Sequence, residues 1–205
     1  MPEHAVNIKD LLLDTAMDLP GCTDAVILNE MGKKVRDFCE RTGIWVEETG
    51  DIDVVADQTE YIIKHGYNAN IQRIVWLKIK TSEDDAFENL SYFPEDYYSL
   101  SQDYKLIFSH SSYAPSSDIT GGMRLKLVLR PFLQDGTLPY WLVDRYGEGI
   151  ISGVKARLML SPGKPYTNPA VAGQFQFLYN DAITRAKIAK SKQFPNRERQ
   201  KGFSG

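Results

Sequence analysis

Three histidines, two cysteines and one dense run of carboxylates are the side chains from which this sequence could build a reactive site. A zinc site needs histidines or cysteines at fixed short spacings, such as two on one helix face or a close cysteine pair. His4, His65 and His110 are scattered, and Cys22 and Cys39 stand beside none of them, so no metal site is expected. Ser109-His110-Ser111-Ser112 sets a base beside hydroxyls, but neighbours on a strand end point apart and no third group orients the imidazole. Gly149-Ile150-Ile151-Ser152-Gly153 has one residue too many before its serine for a nucleophile elbow, and it sits in a helical stripe. These glycines read as packing positions. Gly163-Lys164-Pro165-Tyr166-Thr167 lacks the earlier glycine of a phosphate loop, and proline follows its lysine, so it reads as a turn between helices.

The carboxylate run admits more than one chemistry. Between Thr81 and Asp103 stand seven acids (Glu83, Asp84, Asp85, Glu88, Glu95, Asp96, Asp103) and no base, interleaved with Phe87, Tyr92, Phe93, Tyr97 and Tyr98. Two of these carboxylates, correctly separated in space, would hydrolyse a glycosidic bond. Calcium loops demand an ordered Asp-x-Asp-x-Asp-Gly spacing, which is missing. The simplest expectation is a solvated acidic face or a subunit contact studded with tyrosines.

The elements that would position these groups follow from periodicity. Ile8, Leu11, Leu12 and Thr15 predict a short amphipathic helix to about Asp18, stopped by Pro20-Gly21. Ile27, Met31, Val35, Phe38 and Cys39 predict a second helix, opened at Cys22 or Thr23 and closed by Gly43. From Ile44 to about Arg130 the period becomes two. Strands are expected at 44–46, 52–55, 61–63, 73–80, 104–109 and 123–130, with turns at His65-Gly66-Tyr67-Asn68, Ala114-Pro115-Ser116-Ser117 and Gly121-Gly122. The helical period then returns. Leu138, Trp141, Leu142, Tyr146, Ile150, Val154 and Leu158 mark a third helix with Pro139 in its first position. Asn168 and Pro169 open a fourth, with Val171, Phe175, Leu178, Ala182 and Ala186 inward, running to about Lys190. The expected fold class is α+β: a four-helix bundle-like core from 1–43 and 137–190, an antiparallel β-domain inserted at 44–136, and an extended arm at 191–205.

Composition bounds the function. With 205 residues, 42% hydrophobic and 25% charged, the chain has enough apolar surface for a real core. No apolar run approaches the roughly 18 residues of a membrane span, and Met1-Pro2-Glu3-His4-Ala5 does not begin like a signal peptide, so a soluble, cytoplasmic protein with no membrane partner is expected. The cysteines, at the two ends of the expected second helix, would lie roughly 25 Å apart, beyond disulfide reach. Charge is divided: residues 181–205 hold seven bases and two acids, net +5, which leaves −8 of the total −3 for residues 1–180. An acidic body repels free nucleic acid. The basic tail carries Phe194, Pro195 and Phe203, which are wasted in a purely solvating end and suit an arm that docks on a partner.

Several segments resemble one known class. Leu138-Pro139-Tyr140-Trp141-Leu142, Gly153-Val154-Lys155-Ala156-Arg157-Leu158, the run from Pro162 to Pro169 and the stretch from Phe175 to Ala189 look like the C-terminal half of bacteriophage head-to-tail adaptor proteins. Ile8-Lys9-Asp10-Leu11-Leu12, Leu19-Pro20-Gly21-Cys22 and the run from Val35 to Trp45 are similar to their start. The plan of a helical core with a β insertion is similar to the tail tubular protein A class of short-tailed phages. The resemblance covers about the helical half of the chain. It implies a structural virion protein in the neck between head and tail, assembled in the host cytoplasm as a homo-oligomeric ring of about twelve copies. Such a ring has a portal protein above, a tail nozzle or tube protein below, and genomic DNA passing through its channel without specific binding. It implies no catalytic residue, no cofactor and no metal. It also gives the tail a task, with Lys190, Lys192, Phe194, Arg197, Arg199, Lys201 and Phe203 forming a portal-docking arm. Related neck parts, head-closure or tail-completion proteins, are the nearest alternative, and a virion glycan hydrolase using the carboxylates of 83–103 is a more distant one.

Overall fold

The structure is a computed structural model that describes residues 5–65, 69–80, 88–89, 97–101, 103–110, 114–132 and 136–193. In chain order the elements are β1 (Ala5–Asn7), a 3-10 turn (Ile8–Leu11), α1 (Leu12–Ala16), α2 (Asp24–Thr42), β2 (Val46–Glu48), β3 (Ile52–Val54), β4 (Glu60–Ile62), β5 (Ala69–Ile79), β6 (Glu88–Asn89), β7 (Tyr98–Leu100), β8 (Lys105–Phe108), β9 (Ile119–Pro131), β10 (Thr137–Pro139), α3 (Tyr140–Met159) and α4 (Pro169–Gln193). The chain is therefore mixed α and β, with four helices and antiparallel sheets among the described residues. It divides into two compact units, one of Trp45–Arg130 and the other of the residues up to Ile44 and from Pro131 onward.

In the helical unit, α2 follows its sequence signals closely. Asp24 lies in the first turn, Gly43 at φ 53° supplies the left-handed stop, and its N–H donates to the Cys39 carbonyl at 2.7 Å. Ile27, Met31, Val35, Phe38 and Cys39 are completely buried. The first helix is shorter than expected. Asn7 accepts from the Lys9 N–H and Asp10 accepts from the Asn7 N–H, and this capping box winds Ile8–Leu11 as a 3-10 turn before α1 begins.

The third helix begins one residue after Pro139, which sits at the cap with extended ψ. Leu138 belongs to β10 and pairs with Val6, a strand ladder that the helical stripe conceals. The fourth helix turns Ala182 and Ala186 inward as expected and corrects the place of Leu178. Tyr179, Ala182, Ile183 and Ala186 are buried, whereas Leu178 is about half exposed. The cause lies on α3, two of whose three glycines admit these residues. A Cβ on Gly149 would meet the Ala182 Cβ at 2.3 Å, and one on Gly153 would meet the Tyr179 ring at 2.6 Å. The crossed pairs, 149 with 182 and 153 with 179, make α3 and α4 antiparallel neighbours at very close range.

The strand unit is organised on β9, which pairs with β2, β3 and β5, while β5 also carries β6. A second sheet runs β4-β8-β7. Along β9, Leu125, Leu127 and Leu129 are buried and Arg124 and Lys126 are not, the alternation of a half-buried strand. Gly121-Gly122 is a correction: it lies inside β9 and makes no hairpin turn. The ladder with β3 shifts register there, Gly121 holds φ 59°, and its N–H donates to Asp53 at 2.7 Å. A positive φ serves a bulge as readily as a turn.

Candidate functional site

The basic end of α4 is the first candidate. The helix extends through Ser191 and Lys192 to Gln193, so Lys190 and Lys192 are helical and not part of an extended arm. Ala189, Lys190, Lys192 and Gln193 are good helix formers, and the first breaker is Pro195. The Lys190 ammonium donates to the Thr42 carbonyl at the end of α2 at 3.3 Å, where its charge also suits the helix dipole. Lys192 is exposed. Phe194, Arg197, Arg199, Lys201 and Phe203 lie outside the described residues.

Of the acidic run, Glu83, Asp84, Asp85, Glu95 and Asp96 also lie outside the described residues, and for Glu88 only the backbone is placed, in β6 opposite Ile79. Asp103 stands in the tight β7–β8 turn. There the Ser101 hydroxyl accepts from the N–H groups of Asp103 and Lys105, and Tyr104 holds φ 59°. The Tyr104 hydroxyl bonds to the Asn70 side chain, and its ring packs edge-on against His65. His110 follows β8 and is exposed. Among the described residues no group of three His, Cys, Asp or Glu could hold a metal ion. Both cysteines are free. Cys22 precedes α2 and hydrogen-bonds Tyr166, while Cys39 is fully buried and burial pushes its thiol far above the usual range.

The described residues also form concavities, two of which stand out. A cleft of about 690 Å³ in the strand unit is lined by Asn70, Gln72, Arg73, Ser99, Tyr104 and Arg130 among others. Its lining mixes the Arg73 and Arg130 side chains with polar and apolar ones such as Ile71, Ile74 and Leu100; the Ser101 hydroxyl is committed to the turn and the Tyr104 hydroxyl to Asn70. A shallow hollow of about 590 Å³ on α4 is apolar, lined by Ala170, Gly173, Gln174, Phe177 and Leu178. Periodicity does not mark it, because Phe177 falls outside the stripe that α4 was expected to bury.

The cations of the exposed side of β9 are matched locally. Arg124 meets Asp51 at 2.6 Å, Lys126 meets Glu48 at 3.0 Å, and Lys126 and Lys78 stand over the Trp76 ring. Among the described residues no helix is long and apolar enough to cross a membrane. In comparison with known proteins, no family model and no curated protein matches this chain.

Proposed function

We propose that this chain is a structural virion protein, a head-to-tail adaptor that assembles as a ring of about twelve copies between the portal and the tail and continues the DNA channel. One observation carries the reading. The segments that resemble phage adaptors lie at the two ends of the sequence, and they fall in one compact unit, separate from the strands between them. That is the plan of a helical core interrupted by a β insertion, and on this reading α1 to α4 act as a four-helix bundle-like core.

Charge supports the same role. The body is acidic and the exposed side of β9 has its cations paired, so DNA passes without being held. The basic end of α4 suits an acidic partner, the portal above, while the tail nozzle or tube lies below. No catalytic residue, cofactor or metal is assigned to it, and no membrane partner. Its place is the virion neck, reached by assembly in the host cytoplasm.

The test is to mix the full chain with portal particles from the same genome and measure the bound mass by light scattering. About twelve copies per portal is the expected result. A portal of unchanged mass overturns the proposal, and hydrolysis of a glycan that is lost on changing Glu83 or Glu95 to Gln would replace it.

A further inference from the structure

Two apolar surfaces of the helical unit lie open to solvent. On α1 and the residue after it, Leu13 and Met17 are 76% and 78% exposed, one turn apart on the same side. On α4, Phe177 is 71% and Ile188 50% exposed. At 100° per residue Ala170, Phe177 and Ile188 fall within about 20° of one another and about 180° from Tyr179, the side turned away from α3. The hollow beside Phe177 gives this second surface a concave stretch. Exposed apolar groups gathered on a helix face mark association sites.

The two surfaces differ in sign. From Ile8 to Asp18 there are three acids and one base, with Asp10 and Asp14 exposed beside Leu13 and Met17. From Asp181 to Gln193 there are four bases and one acid; Arg185 and Lys192 lie one turn to either side of Ile188, and Arg185 also pairs with Asp181 at 2.9 Å, which leaves the segment a net +3. Pairing either surface with itself sets like charges together, as a two-fold dimer would require. Pairing one with the other sets acid against base, so the charges favour a head-to-tail contact, which repeats from copy to copy.

We propose that the acidic, apolar edge of α1 in one copy seats on the basic, apolar outer face of α4 in a second copy of this chain. The contact supplies the subunit interface of the ring and rests on that reading only for closure of the chain of copies.

The experiment is sedimentation equilibrium of the full chain over a wide concentration range. One variant carries Leu13→Ser with Met17→Ser, another Phe177→Ser with Ile188→Ser. All four side chains are largely exposed, and circular dichroism checks that the variants fold. The wild type is expected to grow past dimer. Each variant alone stays monomeric, and an equimolar mixture of the two gives a one-to-one heterodimer and nothing larger, because each still offers the surface the other lost. In a third variant, Asp14→Lys weakens association at least several-fold, and adding Arg185→Glu with Lys192→Glu to the same chain restores it. A wild type that stays monomeric at the highest concentration, or either double-serine variant that associates as the wild type does, overturns the contact. Open head-to-tail chains, or closure at another number, keep the contact and overturn the twelve-fold ring. Rings on the portal formed equally well by both variants keep the ring and overturn the contact.

Discussion

Gly153 and Tyr179 stand so close that a methyl group on the glycine would come within 2.6 Å of the tyrosine ring. The glycine thus sets how near α3 and α4 approach and which side of α4 turns inward. Gly153→Ala overpacks this contact at about 1–3 kcal/mol, offset by up to about 1 kcal/mol from better helix propensity. A net loss of about 1–2 kcal/mol in urea unfolding is expected. At Gly149 the opposing group is the Ala182 Cβ. The loss from Gly149→Ala is therefore expected to be partly recovered by adding Ala182→Gly, and a double variant no more stable than the single one would contradict that packing.

The same tyrosine ties α4 to α2. Its hydroxyl donates to the Asp37 carboxylate at 2.7 Å, and burial first, then this acidic partner, pushes its ionisation above the ordinary value of 10.0. A group whose folded pKa is raised contributes stability that is complete below the unfolded pKa and is lost as pH rises past it. Stability should therefore decline above about pH 9 to 10, with the buried Cys39 thiol, raised from 9.0, acting in the same direction. Tyr179→Phe should cost about 0.5–1.5 kcal/mol at neutral pH and flatten the alkaline decline. Urea titrations at pH 7 and pH 10.5 measure both.

Lys155 and Asp18 form an unequal pair, 2.6 Å apart. The lysine side chain is 11% exposed and the aspartate 49%. Removing the aspartate strands a nearly buried ammonium over the Phe175 ring, whereas removing the lysine leaves a carboxylate that water reaches. Asp18→Ala should thus destabilise more than Lys155→Met, by roughly 1 kcal/mol, and the double variant should be no worse than Asp18→Ala alone. Equal losses in thermal unfolding of the two single variants would contradict the asymmetry.

How much of this was legible in the sequence depends on how local the deciding contact is. The buried side of α2 and its stop at Gly43 are local, and spacing alone locates them. The inward side of α4 is local only in part: spacing marks Ala182 and Ala186, but Phe175 and Leu178 are more apolar than these, and Gly153 on another helix selects Tyr179. Thr137–Pro139 is too short to signal a strand without its partner Ala5–Asn7. Gly121-Gly122 signals a positive φ, which a bulge and a turn use alike. At the candidate site, the cationic end of α4 is evident in composition, but its helical state through Lys192 is not, and exposed Phe177 is visible only once the helix is packed.

The basic segment beyond Gln193 is predicted to anchor the protein to the portal. Ten or more residues at roughly 3.3 Å each reach over 30 Å, and a dozen weak contacts acting together hold firmly. Deleting residues 194–205 should lower portal binding at least tenfold at moderate salt in a pull-down titration. Undiminished binding by the truncated chain at low and high salt would assign that segment no docking role.

The adaptor account is tested most directly by negative-stain imaging of the full chain mixed with portal particles from the same genome. The expected class averages show an added ring of about twelve lobes on the tail-facing side of the portal, coaxial with its channel. Portals that stay bare at saturating protein, or density bound away from the axis, would contradict the account.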